Sequence, residues 1–166
     1  LRYNGGGNMN PMVEGLATII GNGPSGGAVG VVPTDDVTWE IVDGDFFNNG
    51  YSIRLPNSCS YDSFPKVAVL TSLYTASSGE AVAVIFKGRD RTRSFGGNTL
   101  GMVTGTNWEV ISEEISMSIS VNYYRDRTGK VYRNYVDVDE EIAFASDTEA
   151  RIDPCVRRSI EWLMQE

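Results

Sequence analysis

Thr75-Ala-Ser-Ser-Gly-Glu80 sets two adjacent hydroxyls between an apolar run, residues 66–72, and a stretch of helix-forming residues over 78–87. A serine on a sharp strand-to-helix turn stands exposed beside the free N–H groups of the helix start, where a hydroxyl can serve as a nucleophile. Ser77 is the candidate. The competing interpretation is structural, because Ser77-x-x-Glu80 is also a capping box, a common way to begin a helix. A second feature favours chemistry: Gly5-Gly6-Gly7 follows the extended Leu1-Arg2-Tyr3 and precedes another helix. Its N–H groups make a second place where a developing negative charge can rest. Acyl transfer needs a hydroxyl and two oxyanion donors, and these two turns together can supply all three. The glycine run has neither the Lys-Ser/Thr of a P-loop nor the spacing of a dinucleotide fingerprint.

A serine hydroxyl also needs a base to take its proton. The chain has no histidine and three lysines, Lys66, Lys87 and Lys130. Lys87 lies ten residues along the helix from Ser77, roughly 15 Å at about 1.5 Å per residue. Lys66 begins the strand whose other end leads to the serine, and Lys130 sits in a polar turn. Glu80, Glu113, Asp137 and Asp139 can orient a base, but an ordinary carboxylate is a poor base toward a serine hydroxyl. The base is therefore expected outside this sequence, and the chain alone is expected not to hydrolyse peptides.

The elements that must position these groups follow from periodicity and turn chemistry. Asn10 and Pro11 predict the N-cap and first position of a helix carrying Met12, Val13, Leu16, Ile19 and Ile20, stopped by Gly21. Residues 21–30, rich in glycine, read as a loop. Val37-Thr-Trp-Glu-Ile-Val42 alternates as a strand and is expected to pair with a return strand over 51–55 across a long tip. Residues 56–65 read as an exposed loop. Residues 67–72 read as a strand buried on both faces, and short strands follow at 93–95, 108–111 and 115–124. A polar turn at 125–130 leads to 131–138, expected to pair back as a hairpin. Asp153-Pro154 predicts a last helix with Val156, Ile160, Leu163 and Met164 inward.

At 166 residues the chain is about one domain. Its net charge of −8 argues against nucleic acid or an anionic membrane as partner. No apolar run reaches the ~20 residues of a membrane span. Cys59 and Cys155 can pair in an oxidising compartment, but two half-buried thiols are the simpler expectation. Without histidine or grouped thiolates no metal site is expected, and no cofactor.

Taken in order, Leu1-Arg-x-Asn-x-Gly-Gly7, Lys66-Val-Ala-Val-Leu-Thr71, Thr75-Ala-Ser-Ser-Gly-Glu80, Gly96-x-x-Thr-x-Gly101 and Val138-Asp139-x-x-Ile142 resemble the C-terminal-processing (tail-specific) serine peptidases. The Thr-Ala-Ser-x-(Gly/Ser)-Glu element is the specific one, and the resemblance spans most of the chain. It implies an α/β fold of the ClpP/crotonase-like type, a mixed sheet with packed helices and β-hairpins. It implies Ser77 as nucleophile, with the amides of Ser78 and of Gly6 or Gly7 as oxyanion donors. Met102 stands where one branch of the family has its catalytic lysine, and Gly88 where that branch has a helical carboxylate. The Thr-Ala-Ser-Ser form is most similar to the nisin-resistance-type branch, which uses a Ser–His pair whose histidine precedes the glycine loop.

Residues 1–166 are accordingly expected to be the C-terminal part of a serine peptidase catalytic domain whose N-terminal part is missing. The expected substrate is a peptide or protein, and the resemblance implies a place outside the cytoplasm. Two alternatives carry different signatures. A peptidase-like module that has lost catalysis and only binds peptides would explain Met102. A crotonase-type acyl-CoA enzyme shares the paired oxyanion loops, but nothing in the sequence marks a nucleotide site.

Overall fold

The computed structural model describes residues 1–52, 54, 64–143 and 153–165. Two sheets sandwich a central helix. The larger is antiparallel, with order β3-β2-β1-β7-β6. Its strands are β1 (Gly23–Gly30), β2 (Val37–Val42), β3 (Asp45–Asn48), β6 (Thr104–Val110) and β7 (Ser116–Arg125). The smaller is parallel, order β4-β5-β8, from β4 (Val67–Thr71), β5 (Thr92–Gly96) and β8 (Glu140–Glu141). Helices α1 (Met9–Glu14), α2 (Ala17–Ile20), α3 (Ser78–Phe86) and α4 (Pro154–Leu163) complete the mixed α/β architecture. Every residue of α3 is buried, and the helix packs on α1, β1, β4 and β7. Its Val82, Val84 and Ile85 meet Val13, Ala28, Trp39 and Tyr124 in one core.

The segment over 67–86 forms as its sequence predicts: an apolar strand, a turn of small residues, and a helix begun by a capping box. Elsewhere several expectations are corrected. Residues 21–30 are not a loop but hold β1, the middle strand of the larger sheet, between β2 and β7. Glycine is what allows it, since a Cβ on Gly27 would run into the backbone carbonyl of Val37 on β2. The hairpin of β2 closes earlier than expected. Asp43 and Gly44, at φ +52° and +83°, make a two-residue turn, and β3 pairs back from Asp45. Tyr51 keeps only an isolated bridge to Asn48, and residues 52 and 54 are in no strand; positions 53 and 55 of the expected return strand and 56–63 of the loop after it lie outside the described residues.

The first helix is capped by Asn8, whose side chain accepts from Asn10 N–H, and it breaks at Gly15 into two short helices. Residues 131–138 do not pair back as a strand. After the Arg125–Val131 bridge the chain turns aside onto the 96–101 loop, where Val136 exchanges hydrogen bonds with Thr99. In α4 the inward stripe is Cys155, Ser159 and Trp162, the last tilted against Phe95 at 5.8 Å, while Ile160, Leu163 and Met164 are exposed. Two anchors set that rotation. Arg2 binds the Asp153 cap at 2.8 Å, and Lys66 Nζ donates to the carbonyls of Trp162 and Gln165 at the helix end. Cys155 is a buried thiol, and Cys59 lies outside the described residues. No described helix is long and apolar enough to cross a membrane.

Candidate active site

Ser77 occupies the N-cap of α3 at φ +50°, ψ −120°, a conformation side chains rarely adopt. Its neighbours over-determine it. Glu80 Oε2 accepts the Ser77 N–H at 2.9 Å, and the other Glu80 oxygen accepts Thr99 Oγ1 at 2.5 Å and Gly101 N–H at 2.8 Å. One fully buried carboxylate thus ties the serine turn to the Gly96-x-x-Thr-x-Gly101 loop. Leu100 N–H adds a bond to the Thr75 carbonyl.

The glycine loop lies directly against this turn. Asn4 O accepts Ala76 N–H at 3.0 Å, Thr75 Oγ1 donates to Leu1 O at 2.9 Å, Ser72 Oγ to Arg2 O, and Ser78 Oγ to Gly7 O at 2.6 Å. Side chains at two glycines would break the fit. A Cβ on Gly6, at φ +109°, would sit 2.8 Å from Ser77 Cβ, and one on Gly79 would strike the Asn4 carbonyl. The loop and turn named from sequence are therefore brought together across about 70 residues of chain, a closure whose cost grows only slowly with length. Their amides differ. Gly6 N–H donates to Asn4 Oδ1 at 3.0 Å, whereas the N–H groups of Gly7 and Ser78 have no partner among the described residues.

Ser77 and Ser78 open on a cleft of about 380 Å³. Gly7 and Met9 line one part of it, Trp39 and Tyr124 another, and residues 104–107 of β6 a third. No Asp, Glu, Lys or Arg is among its described lining residues. Tyr124 packs tilted against Trp39, ring centroids 5.5 Å apart, and burial, then the Glu80 charge, push its phenol up to about 12, so it stays neutral. Sequence reasoning missed this wall. The alternation of residues 37–42 places Trp39 on one face of a strand, but which strands face the serine depends on long-range pairing.

The three lysines are engaged elsewhere: Lys66 at the end of α4, Lys87 with Ser94 and Asp139, Lys130 with Asp137. Of the carboxylates named as orienting groups, only Glu80 touches the serine turn, and it holds two backbone N–H groups and the Thr99 hydroxyl. Met102 is exposed. A larger cavity of about 740 Å³ lies at the ends of β4 and β5, but Ser77 does not line it, and Ala143 and Asp153 at its rim flank residues outside the described set.

Residues 1–142 match the family model of Peptidase family S41. The chain belongs to peptidase family S41. It is 27% identical over 137 residues to the nisin-resistance protein of Lactococcus lactis subsp. lactis, a match covering 81% of this chain and 42% of that protein. Among solved structures it is similar to a lipoprotein from Streptococcus agalactiae, with TM-score 0.69 and 24% identity, covering 98% of this chain and 52% of that one. It is also similar to the photosystem II D1 C-terminal processing protease, with TM-score 0.59 and 21% identity, covering 86% of this chain and 33% of that one. At these identities the structures establish the shared fold. The S41 chain described here spans about half the length of these relatives or less.

Proposed function

We propose that this S41 chain carries the nucleophile half of a serine peptidase, and that residues 1–166 are the C-terminal part of the catalytic domain. The observation that carries the proposal is the left-handed Ser77 turn braced against Gly5-Gly6-Gly7 at the mouth of a cleft with no charged side chain among its described lining residues. Ser77 Oγ attacks a peptide carbonyl while its proton passes to a base. The C–N bond then breaks, the amine leaves with that proton, and water hydrolyses the acyl-enzyme. The tetrahedral oxyanion takes the N–H of Ser78 and that of Gly7, with Gly6 joining if Asn4 releases it. The base is a histidine contributed from outside this sequence, in keeping with a lysine-free and histidine-free cleft. Kinship with a lipoprotein and a nisin-resistance protein supports a site of action outside the cytoplasm, on peptide or protein substrates.

A fluorophosphonate probe tests this, since it labels only an activated serine. The full-length protein is expected to label at Ser77 and Ser77→Ala to lose labelling and peptide hydrolysis by at least ~1000-fold, the scale of a lost nucleophile. Equal hydrolysis by parent and Ser77→Ala would sink the assignment. A second reading, a peptide-binding module without catalysis, is favoured by Met102 at the lysine position. It predicts peptide binding with no label at Ser77.

A further inference from the structure

The cleft beside Ser77 has one wall with open hydrogen-bond donors. Tyr124 on β7 and Trp39 on β2 line it, and both are buried, at 6% and 3% exposure. The Tyr124 hydroxyl has no hydrogen-bond partner among the described residues, and neither has the Trp39 Nε1–H. Another buried tyrosine behaves differently. Tyr132 donates its hydroxyl to Asp126 at 2.8 Å. The other buried orphans among the described residues, the Nε atoms of Arg93 and Arg127, lie outside this lining, and each of those guanidiniums is paired through its Nη2. Buried polar groups in native proteins are nearly always hydrogen-bonded, so open donors on a cleft wall call for an acceptor from outside the fold.

The acceptor must come to Tyr124, because Tyr124 is held. Its ring packs at 56° to that of Trp39, and its N–H and carbonyl are bonded to Val103 O and Tyr132 N–H. The phenol keeps its proton, since burial, then the Glu80 charge, raise it to about 12. A neutral donor in a cleft whose described lining holds no cation suits an uncharged acceptor. A peptide brings one such carbonyl with each residue. At about 380 Å³ the cleft is small, near the lower end of the roughly 300–1,000 Å³ of ligand sites. A chain bound at Ser77 therefore passes close to this wall.

We propose that the Tyr124 hydroxyl positions the substrate by donating to a backbone carbonyl of the bound peptide other than the one Ser77 attacks. The attacked carbonyl already has its donors in the amides of Ser78 and Gly7. Tyr124 thus fixes the register of the peptide against the nucleophile, and the Trp39 ring holds the phenol in place for it. The inference rests on the peptidase reading above and adds a residue that reads the peptide main chain. It carries no preference of its own among the side chains of the substrate.

The test compares two fluorophosphonates on the full-length protein, one with a plain alkyl chain and one carrying a tri-alanyl peptide, and reads the rate of labelling at Ser77. The alkyl probe has no carbonyl for Tyr124 to bind. Tyr124→Phe, which removes only the hydroxyl, is expected to slow the peptidyl probe about tenfold or more beyond any slowing of the alkyl probe, the scale of one lost hydrogen bond. Because the hydroxyl has no partner among the described residues, its removal should leave the urea midpoint level. The tri-alanyl peptide as an unreactive amide should bind the Ser77→Ala protein, and bind it about tenfold more weakly once Tyr124→Phe is added. Equal slowing of both probes, or a fall in urea midpoint that accounts for the lost labelling, overturns the proposal. The two ideas fail separately. Labelling of the parent by both probes without a peptide-specific loss in Tyr124→Phe removes the role of Tyr124 alone, whereas no labelling of the parent, with the binding difference kept, removes the peptidase reading alone.

Discussion

Gly6 is where the serine's geometry is decided by a residue with no side chain. At φ +109°, with Ser77 Cβ and Oγ against the space where its own Cβ would lie, it has no room for a methyl group. Gly6→Ala is expected to cost about 1–3 kcal/mol in backbone strain and to move Ser77. Fluorophosphonate labelling should fall at least tenfold, more than stability loss alone would give, and denaturant unfolding alongside labelling checks it. The glycine run was legible in the sequence as an N–H-rich loop. Its dovetail with Ser77 was not, because that fit depends on Asn4, Ala76 and Gly79 meeting in three dimensions.

Between elements, Glu80 is the cross-tie. From the N-terminus of α3 it holds Ser77 N–H on one oxygen and the Thr99 and Gly101 donors on the other. Glu80→Gln replaces one acceptor oxygen by an N–H₂ group facing a donor. A loss of about 2–3 kcal/mol follows from the orphaned buried partner, measured as a lower urea midpoint, together with reduced labelling of Ser77. The sequence showed Glu80 as half of a capping box, and the capping box is present. What spacing could not show was that the same carboxylate also binds a loop some twenty residues on. The elements legible from sequence were those with local signals: the apolar run of β4, the cap of α3, the Asp153-Pro154 start of α4. β1 was illegible because its glycines erase the side-chain alternation by which strands are recognised. Residues 131–138 misled because only Tyr132 and Val136 are buried there, and Val136 is held by Thr99 of the 96–101 loop instead of a partner strand.

Over the whole molecule, two ion pairs bind distant parts of the chain and give a sign to its acid response. Arg2, hydrogen-bonded to Asp153 and joining the chain start to α4, holds that carboxyl below the usual range. Burial alone would raise Asp139, but hydrogen bonds from Ser94 and Lys87 outweigh it and hold it low as well. Both groups have a lower pKa folded than unfolded. Their stabilisation is therefore complete above the unfolded value of about 4 and is lost as pH falls through the folded values. Urea midpoints should stay level from pH 7 to about 5 and drop below about 4, and Asp139→Asn should flatten that drop. Unchanged midpoints down to pH 3 would show that these pairs do not carry the effect.

The stitching of the glycine loop to the serine turn also has a consequence in time. Leu1 and Arg2 accept hydrogen bonds from Thr75 and Ser72. At a synthesis rate of about 5–20 residues per second, the loop is made roughly 4 to 15 s before the turn that completes it. Until then its amides face water. The two halves of the proposed site can therefore meet only after all of β1 to β4 has been made.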